Sequence, residues 1–280
     1  GADVYARFYG NKLQQLSGRT VIVANRPGVG GVLAAETVAR ARPDGHTLFI
    51  GGAGTLASAP WLFKKPTIDP KKDFTYISPL LGQAFILSVD AATSYKTVAD
   101  LTAAMKLKKD KASYATPNNS STILAELYKQ AAGLETTQVN YRTSADFLND
   151  MYSGRIDWVM ADPVFALARI NEGKMRPLGV STAKRISAVP DIPTLQEGGV
   201  PGINLNLWWQ MAAPAATPAP IIEKLNDWLT EIGKQADTSV FLARNGADPM
   251  FANVAATKAL IDKELVDWER YVKVAKIEPQ

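Results

Sequence analysis

The chain has 280 residues, of which 46% are hydrophobic and 21% are charged, and its formal net charge is +4. This length suffices for two hydrophobic cores of ordinary domain size. The absence of cysteine excludes disulfides and thiolate chemistry, and the single histidine, His46, excludes a histidine-rich metal site. His46 also has no nucleophile elbow near it, so a Ser-His-Asp triad is not expected.

Binding to nucleic acid or insertion into a membrane is not expected either. The Lys and Arg residues are scattered, and no aromatic residues interleave with their densest run at 106–111. No apolar stretch is long enough to cross a bilayer. We expect no metal and no cofactor. The lack of cysteine is compatible with an oxidising periplasm.

The first predicted element is a helix over residues 4–18, with Asp3 placed to cap its start. The chain opens abruptly into this helical pattern, which indicates a cropped start whose preceding segment has been removed or lies outside this sequence. A buried strand is predicted at 20–24, followed by a tight glycine loop at 28–31. Leu33 occupies a position where a dinucleotide fingerprint needs glycine, and no Gly-Lys-Ser/Thr follows, so both nucleotide motifs are rejected.

Strands then alternate with helices along most of the chain, which favours parallel α/β sheets. Further strands are predicted at 47–50, 74–77, 85–89, 113–115, 137–141, 156–160 and 177–180, and an extended segment at 204–213. Further helices are predicted at 32–41, 97–105, after 120, at 144–152 and 163–173, from Thr217-Pro218, before Asn245-Gly246, and at 255–275. Thr97 is expected to cap the helix over 97–105.

Two successive α/β series predict two lobes joined by two extended crossings, near 88–92 and 208–213. The last helices are expected to return to the first lobe. The predicted domain 1 therefore comprises residues 1–90 and 212–280, and domain 2 comprises residues 91–211.

The stretch 113–122 contains a strand, a loop of small polar residues and a helix start. The first N–H groups of a helix lack partners and lie at the positive end of its dipole, so they can receive an anion. The alternative is that Ser120 or Ser121 only caps the helix.

Ligands of parallel α/β sheets bind at the carboxyl ends of the strands. The loops expected there expose backbone N–H groups and hydroxyls, which suit a small carboxylate, and they are poor in acid–base groups. The candidate ligand-binding residues are Gly1, Ala2, Asp3, Ala53, Thr55, Phe85, Asn118, Asn119, Ser120, Ser121, Thr122, Tyr141, Arg142, Thr143 and Asp162.

Alternatives remain open for several candidates. Arg142 could hold a carboxylate in bidentate fashion, or it could pair with Asp146 on the surface. Asp162 could contact the ligand, or it could cap the helix that begins at Pro163. Aromatic residues beside the loops, Phe85 among them, could belong to the core instead of the ligand site.

Five segments resemble the receptors of tripartite tricarboxylate transporters, the Bug or TctC-like family. They are residues 25–31, 39–48, 184–200, 208–218 and 246–249. The resemblance implies the α/β two-lobe "Venus flytrap" fold of type II-like periplasmic binding proteins, with a two-strand hinge. Family members begin with a strand and a Pro-Pro-Gly-Gly-Gly loop, of which Gly1-Ala2-Asp3 is the remaining part here, so the first strand and part of the site are expected to lie outside this sequence.

The resemblance also implies a function. The chain is expected to be a monomeric periplasmic receptor, not an enzyme, that delivers a carboxylate to the permease subunits of its transporter. A sensory role towards a membrane signalling partner, or a hydrolase or isomerase using the same cleft, are the alternatives. Citrate, C4-dicarboxylates, acidic amino acids and aromatic acids are all compatible with the family.

Two departures from the family bear on the ligand. The loop before the domain-2 helix, usually rich in Gly and Ser, is 116–121 here, and the usual Tyr-Lys-Gly is Tyr141-Arg142-Thr143. Both changes add side chains that donate hydrogen bonds. We therefore hypothesise a ligand with a second polar end facing domain 2, such as an aliphatic or aromatic dicarboxylate.

Overall fold

A computed structural model describes residues 1–279, and within this range nine strands form two separate sheets surrounded by eleven α-helices. The strands are β1 (Phe49–Gly52), β2 (Phe74–Gln83), β3 (Ile86–Asp90), β4 (Ser113–Thr116), β5 (Thr137–Asn140), β6 (Trp158–Ala161), β7 (Met175–Val180), β8 (Leu207–Pro214) and β9 (Ala247–Pro249). The helices are α1 (Ala2–Ser17), α2 (Val32–Ala39), α3 (Ala53–Leu56), α4 (Ala59–Leu62), α5 (Val98–Lys108), α6 (Asn119–Ala132), α7 (Leu148–Tyr152), α8 (Pro163–Asn171), α9 (Ala219–Lys234), α10 (Ala236–Arg244) and α11 (Val254–Val274).

The first sheet has the order β1-β8-β2-β9, and each of its neighbouring pairs is antiparallel. The second sheet has the order β5-β4-β6-β3-β7; β4 runs parallel to β5 and β6, whereas β3 runs antiparallel to β6 and β7. The predicted parallel arrangement is therefore wrong for the first sheet and correct only for three strands of the second. β8 enters the first sheet between β1 and β2 after the chain has passed through the second sheet, and it runs against both neighbours.

The chain passes from the first sheet to the second between Gln83 and Ile86, and it returns between Val180 and Leu207. Residues 88–90 of the first expected crossing lie inside β3, and residues 208–213 of the second lie inside β8. Sheet membership thus changes a few residues before each expected crossing. The limits of the two domains as moving units stay a prediction.

The predicted strand at 20–24 is not formed. Its backbone makes no ladder hydrogen bond with any strand of residues 1–279, and the side chain of Ile22 is 84% exposed. Val21 and Val23 lie against Gly10 of α1, and the N–H of Val21 donates to Oε1 of Gln14 at 3.0 Å. The apolar composition is typical of a strand, but a strand needs a paired neighbour to satisfy its backbone.

A substitution tests this placement. Ile22→Ser is expected to change the free energy of unfolding by less than about 0.5 kcal/mol, because little of its surface is buried. Ile77 of β2 is fully buried, so Ile77→Ala, measured in the same denaturation series, should cost about 2–5 kcal/mol. A loss of stability in Ile22→Ser comparable to that in Ile77→Ala would contradict the exposed placement.

The first helix begins at Ala2, before the predicted cap. Gly1 occupies the N-cap position of α1, and Asp3 lies within the first turn, so the predicted cap is wrong. The carboxylate of Asp3 instead accepts hydrogen bonds from Nε of Arg7 at 2.8 Å and Nδ2 of Asn25 at 2.7 Å. These two hydrogen bonds hold the pKa of Asp3 below its ordinary value.

Other element boundaries follow the local signals at some positions and depart from them at others. Thr97 caps α5 in a reciprocal capping box with Asp100, as predicted. The helix predicted over 144–152 forms only from Leu148 onward, and the short strand β9 was not predicted.

One continuous apolar cluster contains Phe49 and Trp268 beside the first sheet and residues of α6 beside the second. The two sheets are therefore joined by a shared core on one side.

Candidate functional site

The loop ends of the two sheets meet at Asn119, the first residue of α6. Its Nδ2 donates a hydrogen bond at 3.1 Å to the carbonyl oxygen of Gly54, in the short helix that follows β1. The same carboxamide lies close against Gly30, where an added Cβ would come within 2.9 Å of Cγ of Asn119. Ser120 approaches Gly54 equally closely, because a Cβ there would overlap with Oγ of Ser120. The predicted loops of both sheets thus contact each other directly.

A second close approach lies on the other side of the site. Gly246, between α10 and β9, adopts a φ of +71° and packs against Pro163 and Leu167 of α8. A Cβ at this position would lie 2.6 Å from Cβ of Pro163 and 3.0 Å from a methyl of Leu167. Glycine therefore permits close contact between elements of the two sheets here as well.

Asp162 brings together residues from both sheets. One carboxylate oxygen, Oδ1, accepts the N–H of Phe165 at 3.1 Å, and Oδ2 accepts the hydroxyl of Ser144 at 3.2 Å. The predicted helix cap is therefore confirmed. The nitrogen of Gly1 is 3.9 Å from Oδ1, so residues 1 and 162 meet although their elements pack on different sheets. Whether Asp162 also contacts a ligand stays a prediction.

The start of α6 is capped by Asn118 and not by either serine. Oδ1 of Asn118 accepts the N–H of Ser121 at 2.9 Å, which corrects the alternative that Ser120 or Ser121 caps the helix. The hydroxyl of Ser121 donates to the carbonyl of Met160, and the hydroxyl of Thr122 donates to the carbonyl of Asn118 at 3.2 Å. Among the hydroxyls of this turn, that of Ser120 points towards the opposite sheet.

The three predicted residues that follow β5 make different contacts. The hydroxyl of Tyr141 donates to Asp150 at 2.7 Å; burial, followed by this hydrogen bond, raises the pKa of Tyr141 to about 12. The N–H of Thr143 donates to Oδ2 of Asp146 at 2.9 Å. Arg142 is exposed and makes no ion pair within residues 1–279, so the alternative pairing with Asp146 is not formed. Its guanidinium is free to meet an anion.

The remaining candidates differ in exposure. Ala2 is exposed, and Ala53 is buried at the start of α3. Thr55 donates through Oγ1 to the carbonyl of Gly30 at 2.7 Å. Phe85 is 3% exposed, its ring belongs to the shared core, and its N–H donates to Oγ of Ser181 at 3.0 Å. Contacts of these residues with a ligand stay predictions.

Several residues at the site were not expected from the sequence. The hydroxyl of Tyr5 donates to Oε1 of Gln83 at 2.9 Å, and its ring lies 5.7 Å from that of Trp209. Burial raises the pKa of Tyr5 above its ordinary value, so its phenol stays neutral and can donate. Helical periodicity places Tyr5 on a buried face, but no local signal indicates its polar partner. For Gly30 and Gly246 the local pattern predicts only a turn.

The polar groups at this site are hydrogen-bonding groups that can bind an anion. Within residues 1–279 no group of three or more His, Asp or Glu side chains could hold a metal ion. His46 is exposed on a turn, where its N–H donates to Asp44 at 3.1 Å.

In the part of the chain that the structure describes, no helix has the length and apolarity needed to cross a membrane.

A cavity of about 440 Å³ lies between α2 and residues 59–68, and its lining reaches Val29, the neighbour of Gly30. Its lining is mainly apolar and includes Val32, Leu33 and Phe63, but none of the predicted ligand-binding residues. We place the candidate site at the facing loop ends instead, because polar groups from both sheets converge there.

Comparison with known proteins gives consistent matches over nearly the whole chain. The family described as "Tripartite tricarboxylate transporter family receptor" matches residues 5–277. A protein of Bordetella bronchiseptica from the group named UPF0065 is 30% identical over 280 residues, which cover 99% of this chain and 82% of the relative.

Two solved structures from Rhodopseudomonas palustris are closely similar. Rpa4515 with adipate has a TM-score of 0.95 and 30% identity, covering 99% of this chain and 94% of that chain. MatC with bound malate has a TM-score of 0.88 and 29% identity, covering 97% of this chain and 94% of that chain. The α/β fold of the periplasmic binding proteins, with two sheets, is thereby confirmed.

Proposed function

The chain belongs to the family of tripartite tricarboxylate transporter receptors, and from this premise we propose that it binds a small carboxylate between its two sheets. The single observation that carries this proposal is the meeting of loop ends from both sheets around Asn119, Ser120 and Asp162. Backbone N–H groups, hydroxyls and a free guanidinium are suitable donors to a carboxylate.

The chemistry of similar proteins supports an acid as the ligand. Rpa4515 was solved with adipate and MatC with malate, and both ligands are dicarboxylates. We propose a dicarboxylate, aliphatic or aromatic, with one carboxylate near residues 1–3 and 53–55 and the other near the start of α6 and Arg142. The candidate residues from the sequence are proposed as its surroundings, except for the side chain of Asn119, which contacts Gly54.

Membership of the family supports a proposal for the cellular role. We propose that the protein works in the periplasm as a monomer, that it binds its solute without transforming it, and that it delivers the solute to the permease of a tripartite transporter. Closure of the two predicted domains over the ligand would form the surface that the permease recognises. The poverty of the site in acid–base groups supports binding over catalysis.

A thermal-shift screen over carboxylic acids tests the proposal. A ligand that binds only the folded protein stabilises it by mass action, by about 4 kcal/mol at a thousandfold excess over Kd. We expect malate, adipate or a related dicarboxylate to raise the melting temperature, and calorimetry to give a single site. Malamide and adipamide, the uncharged diamides of malic and adipic acid, are matched controls and should have no effect. Absence of stabilisation by every carboxylate tested would overturn the proposal.

A further inference from the structure

Asn119 joins the two sheets through its side chain rather than through its backbone. Nδ2 donates to the carbonyl of Gly54 at 3.1 Å, and the carboxamide covers Gly30 so closely that no Cβ fits between them. We infer that Asn119 is a latch that holds the cleft closed by a direct contact between the sheets, independent of the ligand. The inference rests on the proposed function, since a latch has meaning only for a cleft that opens and closes.

The receiving surface is built independently of Asn119. Oγ1 of Thr55 donates to the carbonyl of Gly30 at 2.7 Å, which ties the loop at 28–31 to α3. Thr55 also fills the space beside Gly31, where a Cβ would come within 2.6 Å of Oγ1. Gly30 and Gly54 are therefore held in a fixed relation on the side of the first sheet, ready to receive the carboxamide.

The opposite half of the contact is equally fixed. Asn119 is the first residue of a helix of 14 residues, and its neighbour Asn118 caps that helix by accepting the N–H of Ser121 at 2.9 Å. The hydroxyl of Ser121 is bonded to the carbonyl of Met160 in β6. Because the backbone of this turn is already held, closure against the other sheet costs mainly the rotamer freedom of the Asn119 side chain.

One of the two N–H donors of the Asn119 carboxamide is consequently committed to the contact between the sheets. Its nitrogen is used by Gly54, and its oxygen lies against Gly30, 2.9 Å from the position of an added Cβ. A contact made in the closed state regardless of the ligand shifts the closed-to-open equilibrium by the same factor for every ligand. The latch therefore sets overall affinity and the closed fraction of the free protein, but not the choice among acids.

The decisive measurement uses ligand-free protein. The chain has no cysteine, so Lys65→Cys and Lys106→Cys, at exposed positions on the first and second sheets' sides, accept one spin label each. Electron–electron distance measurements then give the closed fraction. We expect Asn119→Ala to lower the closed-to-open ratio about fivefold, the effect of one neutral hydrogen bond. The matched control is Asn149→Ala, an exposed asparagine of α7, which should leave the ratio unchanged.

Two results would overturn the latch. One is an unchanged closed-to-open ratio in Asn119→Ala; the other is a free wild-type protein with no closed fraction, because the contact would then contribute too little. Neither result depends on identifying a ligand, so failure of the latch is distinguishable from failure of the proposed function.

A second readout separates a latch from a ligand contact. With two acids that stabilise the wild type in the thermal-shift screen, Asn119→Ala should raise both Kd values by the same factor. Unequal factors for the two acids would show that the side chain touches the ligand and would overturn the inference.

Discussion

Gly54→Ala is expected to leave the protein folded and to weaken ligand binding by on the order of 10- to 100-fold. Gly54 lies in the short helix α3 with no positive φ, so alanine is favourable in the open protein by about 0.5–1 kcal/mol. In the closed protein its Cβ would overlap with Oγ of Ser120 and lie 3.3 Å from the nitrogen of Ser120. Overpacking of this kind costs about 1–3 kcal/mol, and each 1.4 kcal/mol is tenfold in affinity.

The measurement is calorimetric titration with the acid that stabilises the wild type most. The melting temperature of the ligand-free variant serves as the control for folding and should equal or exceed that of the wild type. Wild-type affinity in Gly54→Ala would mean that the two sheets do not close as the structure shows.

A double-mutant cycle isolates the clash itself. Ser120→Ala removes Oγ, after which the atoms nearest to the added Cβ are the nitrogen of Ser120 at 3.3 Å and its Cβ at 3.5 Å. We expect the double variant Gly54→Ala, Ser120→Ala to bind more tightly than the sum of the single effects predicts. If the two single effects on the binding free energy add strictly, the loss of affinity in Gly54→Ala has a cause other than overlap with Oγ of Ser120.

Arg142→Ala is expected to weaken binding of a dicarboxylate by about 10- to 100-fold, which corresponds to the loss of one charge-assisted hydrogen-bonded contact. Arg142 is exposed, forms no ion pair within residues 1–279, and follows β5 at the edge of the second sheet. Asp146, its expected surface partner, accepts the N–H of Thr143 instead. The guanidinium of Arg142 therefore does not have to break an existing ion pair before it binds a carboxylate.

Two controls define what Arg142 recognises. Arg142→Lys keeps the charge but loses the planar fork, so it should recover only part of the affinity. A monocarboxylate of the same chain length should bind Arg142→Ala and the wild type about equally, because it lacks the second charge. Equal affinity of both proteins for the dicarboxylate, measured by calorimetry, would contradict the second-carboxylate hypothesis.

Local sequence signals predicted much of the fold. The caps at Thr97 and Asp162 were identified from short patterns, and both are formed. The order of strands and helices is largely as predicted, because apolar periodicity and turn residues act over a few neighbouring positions. The family was also recognisable from motifs such as residues 25–31 and 39–48, which match continuous stretches of chain.

Contacts between distant residues decided the rest. The segment at 20–24 has the composition of a strand but pairs with no strand among residues 1–279. The pairs of β8 with β1 and β2 are antiparallel because β8 returns to the first sheet from the second. Neither outcome can be predicted from the local sequence pattern, since strand pairing depends on which segments the topology brings side by side.

The stretch 113–122 shows both halves of this division. By itself the sequence determined a strand, a polar turn and a helix start, with small polar residues available to cap it. The tertiary structure decided that Asn118 caps, that Ser121 is bonded to β6, and that Asn119 contacts Gly54. The physical reason is that residues 54 and 119 are far apart in the chain, so only the packing of the two sheets brings them together. In that packing the carboxamide of Asn119 lies so close to Gly30 that a Cβ at position 30 would not fit.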